Sequence, residues 1–588
     1  MLGPGLGLTV PSDAKAQHAF DESRRLTGAN LYQGGPAVVL VPLGPAAADG
    51  AAHGRWIAQV VSMCGRLGWP APLPRVQAHA GGVMLAFAAP ARALFTATEV
   101  NEWAWERAAA AHAAHAAAGF TLAHAASSDA AAHFRARMAA EVSRPLARLA
   151  AAAAERDLPW LEDDDTVSIG EGAGSVVFAR AALPLAMDVP WPRLHGVPKV
   201  LVSGSNGKTT TTRLLAAMAR AAGLTPGLCS TEGVVVGDEV VASGDYAGPA
   251  GARVVLRHPA VTVALLETAR GGLLRRGLAV RRADVALITN VSADHLGESG
   301  IDSVADIAAL KLVLAHAVAG AGWLVLNGAD ETLLRAAVQL PHAVAATWAL
   351  FARDADASIP SVLRQRGGST CGARDGRLVL SLHGTDHDLG AVAAMPLTLG
   401  GAAGFNIENL AAAALTAGLL GWPLDAVRGV LLDFGAEPRH NPGRLERHRH
   451  RGAVVLVDYA HNPDGLAQLL TVARTLQPRR LALLLGQAGN RSDEAIAELA
   501  RTAAAFDPQR VLIKELPLML RGRALGAVPA IIEQALRQAG LAADRIAHGG
   551  DEQAAALALL AWAEPGDVVV LPLHTREVRE RLVGGLTA

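Results

Sequence analysis

The sequence predicts an α/β protein of several domains, and three observations support this fold class. Strand-like runs alternate with helix-like runs from Lys199 onward, and a second series of the same kind starts near Gly452. Such alternation is typical of parallel sheets whose strands are joined by helices. The chain has 588 residues, which corresponds to about three or four domains of ordinary size.

The composition excludes several classes of protein. Lys and Arg total 53 and Asp and Glu total 54, so the formal net charge is −1. A dedicated nucleic-acid-binding protein would carry a basic excess, and a disordered chain would be less hydrophobic and more highly charged. The hydrophobic fraction of 51% is enough for several buried cores. Three cysteines are too few for a disulfide framework or a Cys-rich zinc domain.

The sequence shows neither a signal peptide nor a membrane span. The first residues lack a basic segment followed by an apolar one. No long run of strongly apolar residues follows, because the longest uncharged runs are rich in Ala, Gly and His. We therefore expect a cytoplasmic protein whose partners include neither a membrane nor a nucleic acid.

Residues 1–157 are expected to form a smaller α+β domain. The apolar runs at 37–42 and 82–87 have the composition of strands, and residues 98–157 are Ala-rich, which favours helix. Residues 158–196 carry an acidic run and several prolines. This second segment is interpreted as a linker to the domain that begins at residue 197.

A phosphate-binding loop (P-loop) is predicted at residues 204–210, between the strand that begins at Lys199 and a helix-like run. Glycines let backbone N–H groups wrap around a phosphate, and the helix adds the positive end of its dipole. Lys208 stands where a lysine reaches the outer phosphates, and Thr209 where a hydroxyl ligates Mg²⁺. Residue 202 is Val rather than Gly, so the loop is shorter than the common P-loop pattern. A Gly-rich turn without function is the alternative, and the placement of Lys208 and Thr209 argues against it.

Two further strand-like runs end in polar residues. The run at 261–267 ends in Glu267, a carboxylate that suits a Mg²⁺ ligand beside a P-loop. The run that ends at 289–291 is followed by Asp294 and His295. The carboxyl ends of parallel strands face the crevice where ligands bind, so these residues should meet there. Lys311 lies in an apolar helix-like run, and its residue context alone favours a helix lysine whose amine reaches solvent.

These segments together resemble the Mur ligase family, in which further motifs recur in the same order. The motifs lie at 204–210, 267, 289–295, 311, 326–330, 405–409, 442–444 and 458–463. The resemblance implies a P-loop central ATPase domain with a parallel sheet at 197–436 and a Rossmann-like C-terminal domain at 437–588. It also implies an ATP-dependent ligase that activates a carboxylate as an acyl phosphate and couples it to an amine. ATP and Mg²⁺ are the implied cofactors.

The resemblance also implies roles for individual residues around the nucleotide. Asn406 and Asn409 would lie near the adenine, and Arg444 and Asp458 would close over the nucleotide from the C-terminal domain. The implied phosphate-binding residues are Gly204, Ser205, Asn206, Gly207, Lys208, Thr209, Thr210 and Asn290.

The implied metal site overlaps the implied catalytic set. Thr209, Glu267 and His295 would hold Mg²⁺. Lys311 matches a lysine that is carbamylated in the family and helps to hold a second metal. Lys208, Glu267, His295 and Lys311 are accordingly the expected catalytic residues.

Within the family, the sequence most resembles the C-terminal half of the cyanophycin synthetases. This resemblance rests on residues 267–278, 293–297, 514–515 and 521–523. Residues 25–32 and 147–172 resemble the N-terminal part of those enzymes and the start of their ATP-grasp domain. Too few residues follow before the P-loop strand to form an ATP-grasp domain, so that domain is missing and 158–196 would be its remnant.

The implied reaction is the addition of Arg to the β-carboxylate of Asp in a cyanophycin-like acceptor, without synthesis of the Asp backbone. A homo-oligomer, which could work together with a complete cyanophycin synthetase, is also implied. Arg270, Arg275 and Arg276 could meet a carboxylate-rich acceptor or form a solvated helix face, and Arg521 and Arg523 leave the same two readings open.

Three other functions stay open. The chain could be a non-catalytic or regulatory partner of a complete cyanophycin synthetase. It could instead be a Mur-type ligase with a different acidic peptide as substrate, or a plain P-loop ATPase or kinase. The sequence does not identify the amine or the acceptor.

Overall fold

The computed structural model describes residues 19–112, 129–141, 143–294, 296–320, 322–344 and 346–586. These residues divide into two compact units. The first unit contains the described residues up to Leu149 together with Leu274–Leu278, and the second contains the remainder. The predicted α/β fold with several sheets is confirmed.

The first unit has an antiparallel sheet covered by helices. The strands are β1 (Phe20–Leu26), β2 (Ala37–Pro42), β3 (Arg75–His79) and β4 (Gly82–Ala88), in the order β1-β2-β4-β3. The helices are α1 (Gly50–Leu67), α2 (Leu94–Ala110) and α3 (Ala130–Glu141). Trp56 and Trp105 are fully buried in the core, where their indole N–H groups donate to Asn101 Oδ1 and to the Ala19 carbonyl. Both strands predicted for this region are present, and part of its Ala-rich stretch, 113–128 and 142, lies outside the described residues.

The segment predicted as a linker contains a sheet of its own. After α4 (Arg144–Ala154), three antiparallel strands follow, β5 (Trp160–Glu162), β6 (Thr166–Ile169) and β7 (Val176–Ala179). A buried ion pair of 2.5 Å between Glu171 and Lys199 ties this segment to the next strand. The domain boundaries at 157, 196 and 436 remain predictions.

The second unit is built on a large mixed sheet. Its strands are β8 (Lys199–Ser203), β9 (Pro226–Ser230), β10 (Gly233–Val236), β11 (Glu239–Ser243), β12 (Val263–Glu267), β13 (Val285–Ile288), β14 (Trp323–Asn327), β15 (Thr347–Asp354), β16 (Thr370–Arg374), β17 (Arg377–Leu382) and β18 (Thr385–Ala391). The order is β11-β10-β9-β12-β8-β13-β14-β15-β16-β17-β18. The strands from β9 to β16 in this order run parallel, and antiparallel strands extend both ends.

The helices of this part cover the sheet and bury its apolar strands. They are α5 (Lys208–Ala221), α6 (Pro249–Arg257), α7 (Arg270–Arg276), α8 (Val304–Lys311), α9 (Ala315–Val318), α10 (Glu331–Val338), α11 (Ser358–Gln365), α12 (Gly404–Leu419) and α13 (Leu424–Asp433). Strand β8 lies between β12 and β13, and all three run parallel. Their carboxyl ends therefore lie side by side, which is where an open parallel sheet binds ligands.

The unit also contains a six-stranded sheet, called the second sheet below, which likewise has parallel strands joined by helices. Its strands are β19 (Glu446–His450), β20 (Ala453–Asp458), β21 (Leu481–Leu485), β22 (Arg510–Glu515), β23 (Ile546–Asp551) and β24 (Val568–Pro572), in the order β19-β20-β24-β21-β22-β23. All are parallel except β19. The helices are α14 (Pro463–Thr475), α15 (Asp493–Ala504), α16 (Ala527–Gln538), α17 (Glu552–Trp562) and α18 (Arg576–Val583). Among the described residues, no helix is both long enough and apolar enough to span a membrane.

Candidate functional site

The predicted P-loop connects the end of β8 to the start of α5, and its shape depends on two glycines. Gly204 and Gly207 have φ angles of 148° and 83°. A Cβ atom at Gly207 would lie 2.3 Å from Asn409 Oδ1, so only glycine fits there. Helix α5 has no side-chain cap at Gly207. Its first N–H groups therefore remain available to an anion.

Residues after β13 hold the backbone of the loop. The Asn206 N–H donates to Asn290 Oδ1 at 2.9 Å, and the Ser205 N–H donates to the Asn290 carbonyl at the same distance. The Thr289 hydroxyl donates to the Asn206 carbonyl at 2.5 Å. Lys208 Nζ donates to the Gly204 and Ser205 carbonyls at 3.0 Å each, so its cation lies above the loop.

Thr209 and Glu267 form a pair that fits a metal ion. The Thr209 hydroxyl donates to Glu267 Oε2 at 2.9 Å. Oε1 of the same carboxylate is buried and has no hydrogen-bond partner among the described residues. Burial raises the pKa of Glu267, although Lys208 and Thr209 oppose this. A buried, unsatisfied carboxylate oxygen beside a hydroxyl and a lysine is a donor set that suits Mg²⁺ and phosphate.

One pocket collects most of the predicted nucleotide residues. It is lined from the P-loop side by residues 205–210 and Glu267, and from the second sheet by residues 458–461. The predicted residues that line it are Ser205, Asn206, Gly207, Lys208, Thr209, Thr210, Glu267, Asn406, Asn409, Arg444 and Asp458. Their roles remain predictions. The pocket is also lined by Phe405 and Tyr459, which belong to the motifs at 405–409 and 458–463 but have no predicted role there. Thr231 and Gln468 line it too, and no motif in the sequence marks them.

The second sheet contributes a cation and a carboxylate to this pocket. The Arg444 guanidinium lies over the Tyr459 ring, 4.6 Å from its centroid. Asp458 accepts the N–H groups of Leu445 and Ala460 at 2.7 Å each. Burial raises the pKa of Asp458, and Arg444 opposes this. The Asp458 carboxylate therefore fixes the backbone at Leu445 and at Ala460, which both line the pocket, and partly balances the charge of Arg444.

The P-loop contacts the second sheet directly. Asn206 Nδ2 donates to Asp464 Oδ2 at 2.7 Å, and Asn462 Nδ2 donates to Asn206 Oδ1 at 3.0 Å. Asn462 is also the N-cap of α14, because its Oδ1 accepts the Gly465 N–H at 2.8 Å. The Asn206 side chain of the P-loop is thus fixed by the start of α14, which follows β20 of the second sheet.

The predicted adenine residues lie at the start of α12. Asn409 Nδ2 donates to Asn406 Oδ1 at 3.0 Å, and Asn406 Nδ2 donates to the Leu397 carbonyl at 2.9 Å. Asn409 Oδ1 accepts a hydrogen bond from Thr211 of α5 at 3.3 Å. The two amides are therefore locked together beside the P-loop helix.

Lys311 is buried at the end of α8, which differs from the solvent-reaching lysine that its residue context alone favoured. Its exposed fraction is 4%. Burial lowers the pKa of Lys311 to about 7, and the nearby Lys208 and Arg270 act in the same direction while Asp294 opposes them. The whole Lys311 side chain is therefore buried, and not only its stem, and the charges of Lys208, Asp294 and Arg270 act on its amine.

Three predicted site residues do not line the pocket. Gly204 is part of the loop and accepts a hydrogen bond from Lys208, Asn290 holds the loop backbone at Asn206, and Lys311 is buried. His295 lies outside the described residues. No group of three or more His, Cys, Asp or Glu side chains in the described ranges could hold a metal ion by itself.

The arginines after β12 and β22 have different surroundings. Arg270 pairs with Glu298 at 3.1 Å, whereas Arg275 and Arg276 are exposed. Arg523 donates to the Gly489 and Arg491 carbonyls and is paired with Asp493, whereas Arg521 is exposed. Arg270 and Arg523 therefore form contacts within the protein. For the exposed Arg275, Arg276 and Arg521, contact with an acidic acceptor and simple solvation both stay open.

A part-buried ion-pair network beside the pocket could not be read from the sequence. Glu232, in the turn after β9, receives two hydrogen bonds from Arg579 of α18, at 3.0 and 2.8 Å. Arg213 of α5 lies 3.4 Å from the same carboxylate and donates to the Pro442 carbonyl at 2.9 Å. Burial opposes the ionisation of Glu232, yet the arginines hold its pKa below the usual value. The network joins the P-loop helix, the turn and the last helix of the chain.

Replacement of Glu232 by Met is expected to lower the free energy of unfolding by about 3 kcal/mol, because the buried Arg579 and the part-buried Arg213 lose their counter-charge. Urea unfolding followed by tryptophan fluorescence measures this change. The matched control is Glu331→Met, which removes an exposed carboxylate 3.8 Å from Arg335 and should change stability by less than about 0.5 kcal/mol. Equal stability of the two variants would contradict the assignment of Glu232 as the centre of a part-buried network.

Comparison with known proteins identifies the family. The Mur ligase middle domain model matches residues 202–417, and the model described as Mur ligase, glutamate ligase domain matches residues 443–572. Together the two matches cover more than half of the chain, and the chain belongs to the Mur ligase family. The predicted resemblance to this family is confirmed.

Individual relatives include the cyanophycin synthetases. That of Trichormus variabilis is 36% identical over 369 residues, which are 62% of this chain and 40% of the relative. That of Synechocystis sp. is 37% identical over 336 residues, which are 57% of this chain and 38% of the relative. The UDP-N-acetylmuramoyl-L-alanyl-D-glutamate–2,6-diaminopimelate ligase of Xylella fastidiosa (strain 9a5c) is 31% identical over 354 residues, 57% of this chain and 65% of the relative. The chain thus spans about 40% of the length of the cyanophycin synthetases that it matches.

Proposed function

We propose that the protein is an ATP-dependent amide ligase that couples a carboxylate to the amine of an amino acid. The observation that carries this proposal is the convergence of Lys208, the Thr209–Glu267 pair and Arg444 on one pocket. Phosphoryl transfer depends mainly on positioning and on balancing negative charge, and these residues supply both. Membership of the Mur ligase family supports the same reaction class.

The proposed reaction has two steps. An oxygen of the substrate carboxylate attacks the γ-phosphorus of ATP, which gives an acyl phosphate and ADP. The neutral amine then attacks the acyl carbon, the C–O bond to phosphate breaks, and the amine loses a proton as the amide forms. The second step needs a dry pocket, because water would hydrolyse the acyl phosphate.

The protein's own groups have separate tasks in this proposal. Lys208 balances charge on the outer phosphates, and Arg444 does so from the opposite wall of the pocket. Thr209 and Glu267 would hold Mg²⁺, and His295 would be a further ligand. A bound Mg²⁺ would neutralise negative charge on the phosphate oxygens. Asn406 and Asn409 bind the adenine end, and Asp458 fixes the wall that carries Arg444.

For the substrates, we propose Arg as the amine and the β-carboxylate of Asp in a cyanophycin-like acceptor as the acid. The similarity to the cyanophycin synthetases supports this choice. The chain would then act on an acceptor made by another enzyme, as a homo-oligomer and in cooperation with a complete cyanophycin synthetase.

Phosphate release from ATP by the purified full chain tests the proposal. Poly-aspartate and β-aspartyl-arginine peptides serve as acceptors, each with Arg, Lys or another amino acid as amine. Release that requires both an Asp-rich acceptor and Arg is the expected result. Release with another pair would keep the ligase and reassign the substrate. No release with any pair would overturn the ligase, and retention of the chain on an immobilised cyanophycin synthetase would then favour a regulatory subunit.

We further propose that Lys311 is carbamylated. Its neutral amine can add CO₂ to form a carbamate and release a proton, and a pKa of about 7 makes the neutral form abundant. The resulting anion would be attracted by Lys208 and Arg270, which disfavour the ammonium form, and repelled by Asp294, which favours it. Carbamylation therefore replaces an unfavourable buried cation by a group that can hold a second metal.

Activity is expected to fall when CO₂ is stripped from the buffer and to return with added bicarbonate. Lys311→Arg, which keeps a cation but cannot form this carbamate, should lose activity at every bicarbonate concentration. ¹³C NMR of protein equilibrated with ¹³C-bicarbonate should show a carbamate signal that Lys311→Arg lacks. A protein without that signal and without bicarbonate dependence would refute the carbamate.

A further inference from the structure

A buried ion pair lies beneath the edge of the second sheet that faces the pocket. Lys514, near the end of β22, and Glu552, the first residue of α17, are 2.6 Å apart. Their side chains are almost fully buried, with exposed fractions of 0% and 4%. Burying two charges costs desolvation energy that can exceed the attraction between them. A contribution to stability therefore does not by itself explain why the pair is there.

The pair fixes the chain immediately after β24. Lys514 Nζ donates to the Pro572 carbonyl, and Glu552 accepts the N–H groups of His574 and Thr575 at 2.7 and 2.8 Å. Burial opposes the charge on Glu552, yet Lys514 and the His574 N–H hold its pKa below the usual value. Three polar contacts, at Pro572, His574 and Thr575, thus set the position of residues 572–575.

The fixed segment presents His574 to the pocket wall. The His574 ring contacts the Tyr459 ring edge-on, with centroids 5.3 Å apart. Its Nε2 lies 3.2 Å from the Ala460 carbonyl, which requires the tautomer with the proton on Nε2. Burial lowers the pKa of His574 to about 3, so the ring is neutral near pH 7 and supports Tyr459 through packing. Tyr459 in turn supports Arg444 from below.

We infer that the buried Lys514–Glu552 pair is a positioning pair that orients Arg444 through the two aromatic rings. The inference rests on the proposed function, in which Arg444 contacts the nucleotide phosphates. Gly486 leaves the room that the pair needs, because a Cβ atom there would lie 2.4 Å from Lys514 Cγ. No member of the pair lines the pocket itself.

A double-mutant cycle with Arg444→Ala tests this coupling. ADP affinity is measured by calorimetry with the full chain and Mg²⁺. The variant Lys514→Met/Glu552→Gln removes both charges and keeps one acceptor oxygen, which serves one of the two backbone N–H groups. We expect the ADP Kd of this variant to be about tenfold higher than that of the unsubstituted protein. When the same two changes are added to Arg444→Ala, the ADP Kd should stay equal to that of Arg444→Ala alone. A fully additive loss would overturn the inference, because it would show that the pair does not act through Arg444.

A second variant guards against loss of the fold. His574→Phe keeps the ring contact with Tyr459 and removes only the hydrogen bond to Ala460, so it should raise the ADP Kd by a few-fold and lose that effect in Arg444→Ala. The matched control is Glu533→Gln/Arg537→Met, which removes a surface ion pair from α16 and should leave the Kd unchanged.

The outcomes separate the two proposals. If Lys208→Ala abolishes ADP binding but Arg444→Ala leaves it unchanged, the positioning inference fails and the proposed function stands. If the unsubstituted protein does not bind ADP, both fail. If Lys514→Met/Glu552→Gln unfolds at a lower temperature yet binds ADP with unchanged affinity, the pair is structural only and the inference is wrong.

Discussion

Lys208→Ala is expected to reduce ATP-dependent phosphate release by about 10³-fold or more, because the cation nearest the outer phosphates is lost. The fold should survive this change. Lys208 Nζ is only part-buried and donates to two carbonyls of its own loop, so the helix that follows keeps its packing. Steady-state phosphate release and a thermal melt of the same preparation measure the two effects.

The control for this variant lies on the same helix. Arg220→Ala, in the last turn of α5, removes an exposed cation and should leave turnover unchanged. Full activity of Lys208→Ala would eliminate the proposed mechanism. A large loss of melting temperature in Lys208→Ala would mean that the loop contacts matter more to the fold than their exposure suggests.

Glu267→Gln should abolish activity and yet stabilise the metal-free protein. Burial raises the pKa of Glu267, which means that the folded state disfavours its charged form. A carboxylate whose pKa is raised on folding destabilises the protein at neutral pH, and this cost disappears as the pH falls below its ordinary pKa. The Tm of Glu267→Gln should therefore exceed that of the unsubstituted protein at pH 7, and the difference should shrink toward pH 4.

Mg²⁺ and a nucleotide should reverse the order of the two melting temperatures. The unsubstituted protein should gain stability on adding both, and Glu267→Gln should gain much less, because the metal loses a charged ligand. Glu239→Gln, an exposed change on β11 of the same sheet, is the matched control and should behave like the unsubstituted protein. A lower Tm for metal-free Glu267→Gln at pH 7 would contradict the electrostatic argument.

The parts of the site that could be predicted are those with local signals. Residues 204–210 combine a strand end, two glycines with positive φ and a helix start within one short segment. Glu267 is recognisable because it ends a continuous apolar run, and runs of this kind become central strands whose ends meet. The two α/β series also follow from local patterns, since each strand and its helix are adjacent in the sequence.

The remainder depends on contacts between distant residues. Arg579 and Glu232 are 347 positions apart, and neither lies in a pattern that marks it. The outermost antiparallel strands of the large sheet, β11 and β18, are only partly apolar, so they resemble loops in the sequence. Prolines and acidic residues in 158–196 obscure the short alternation of β5, β6 and β7, so the sequence predicts a linker there. The burial of Lys311 follows from how α8 packs, which its own neighbours cannot specify.

The hydrogen bonds of Asn206 have a consequence for thermodynamic linkage. This side chain belongs to the P-loop, yet its partners Asn462 and Asp464 belong to the first turn of α14. Any ligand that changes the geometry of the loop therefore changes the free energy of its contact with the second sheet's layer. Such coupling is reciprocal. If bound phosphate strengthens the contact between the loop and α14 by some factor, then formation of that contact raises the affinity of the loop for phosphate by the same factor.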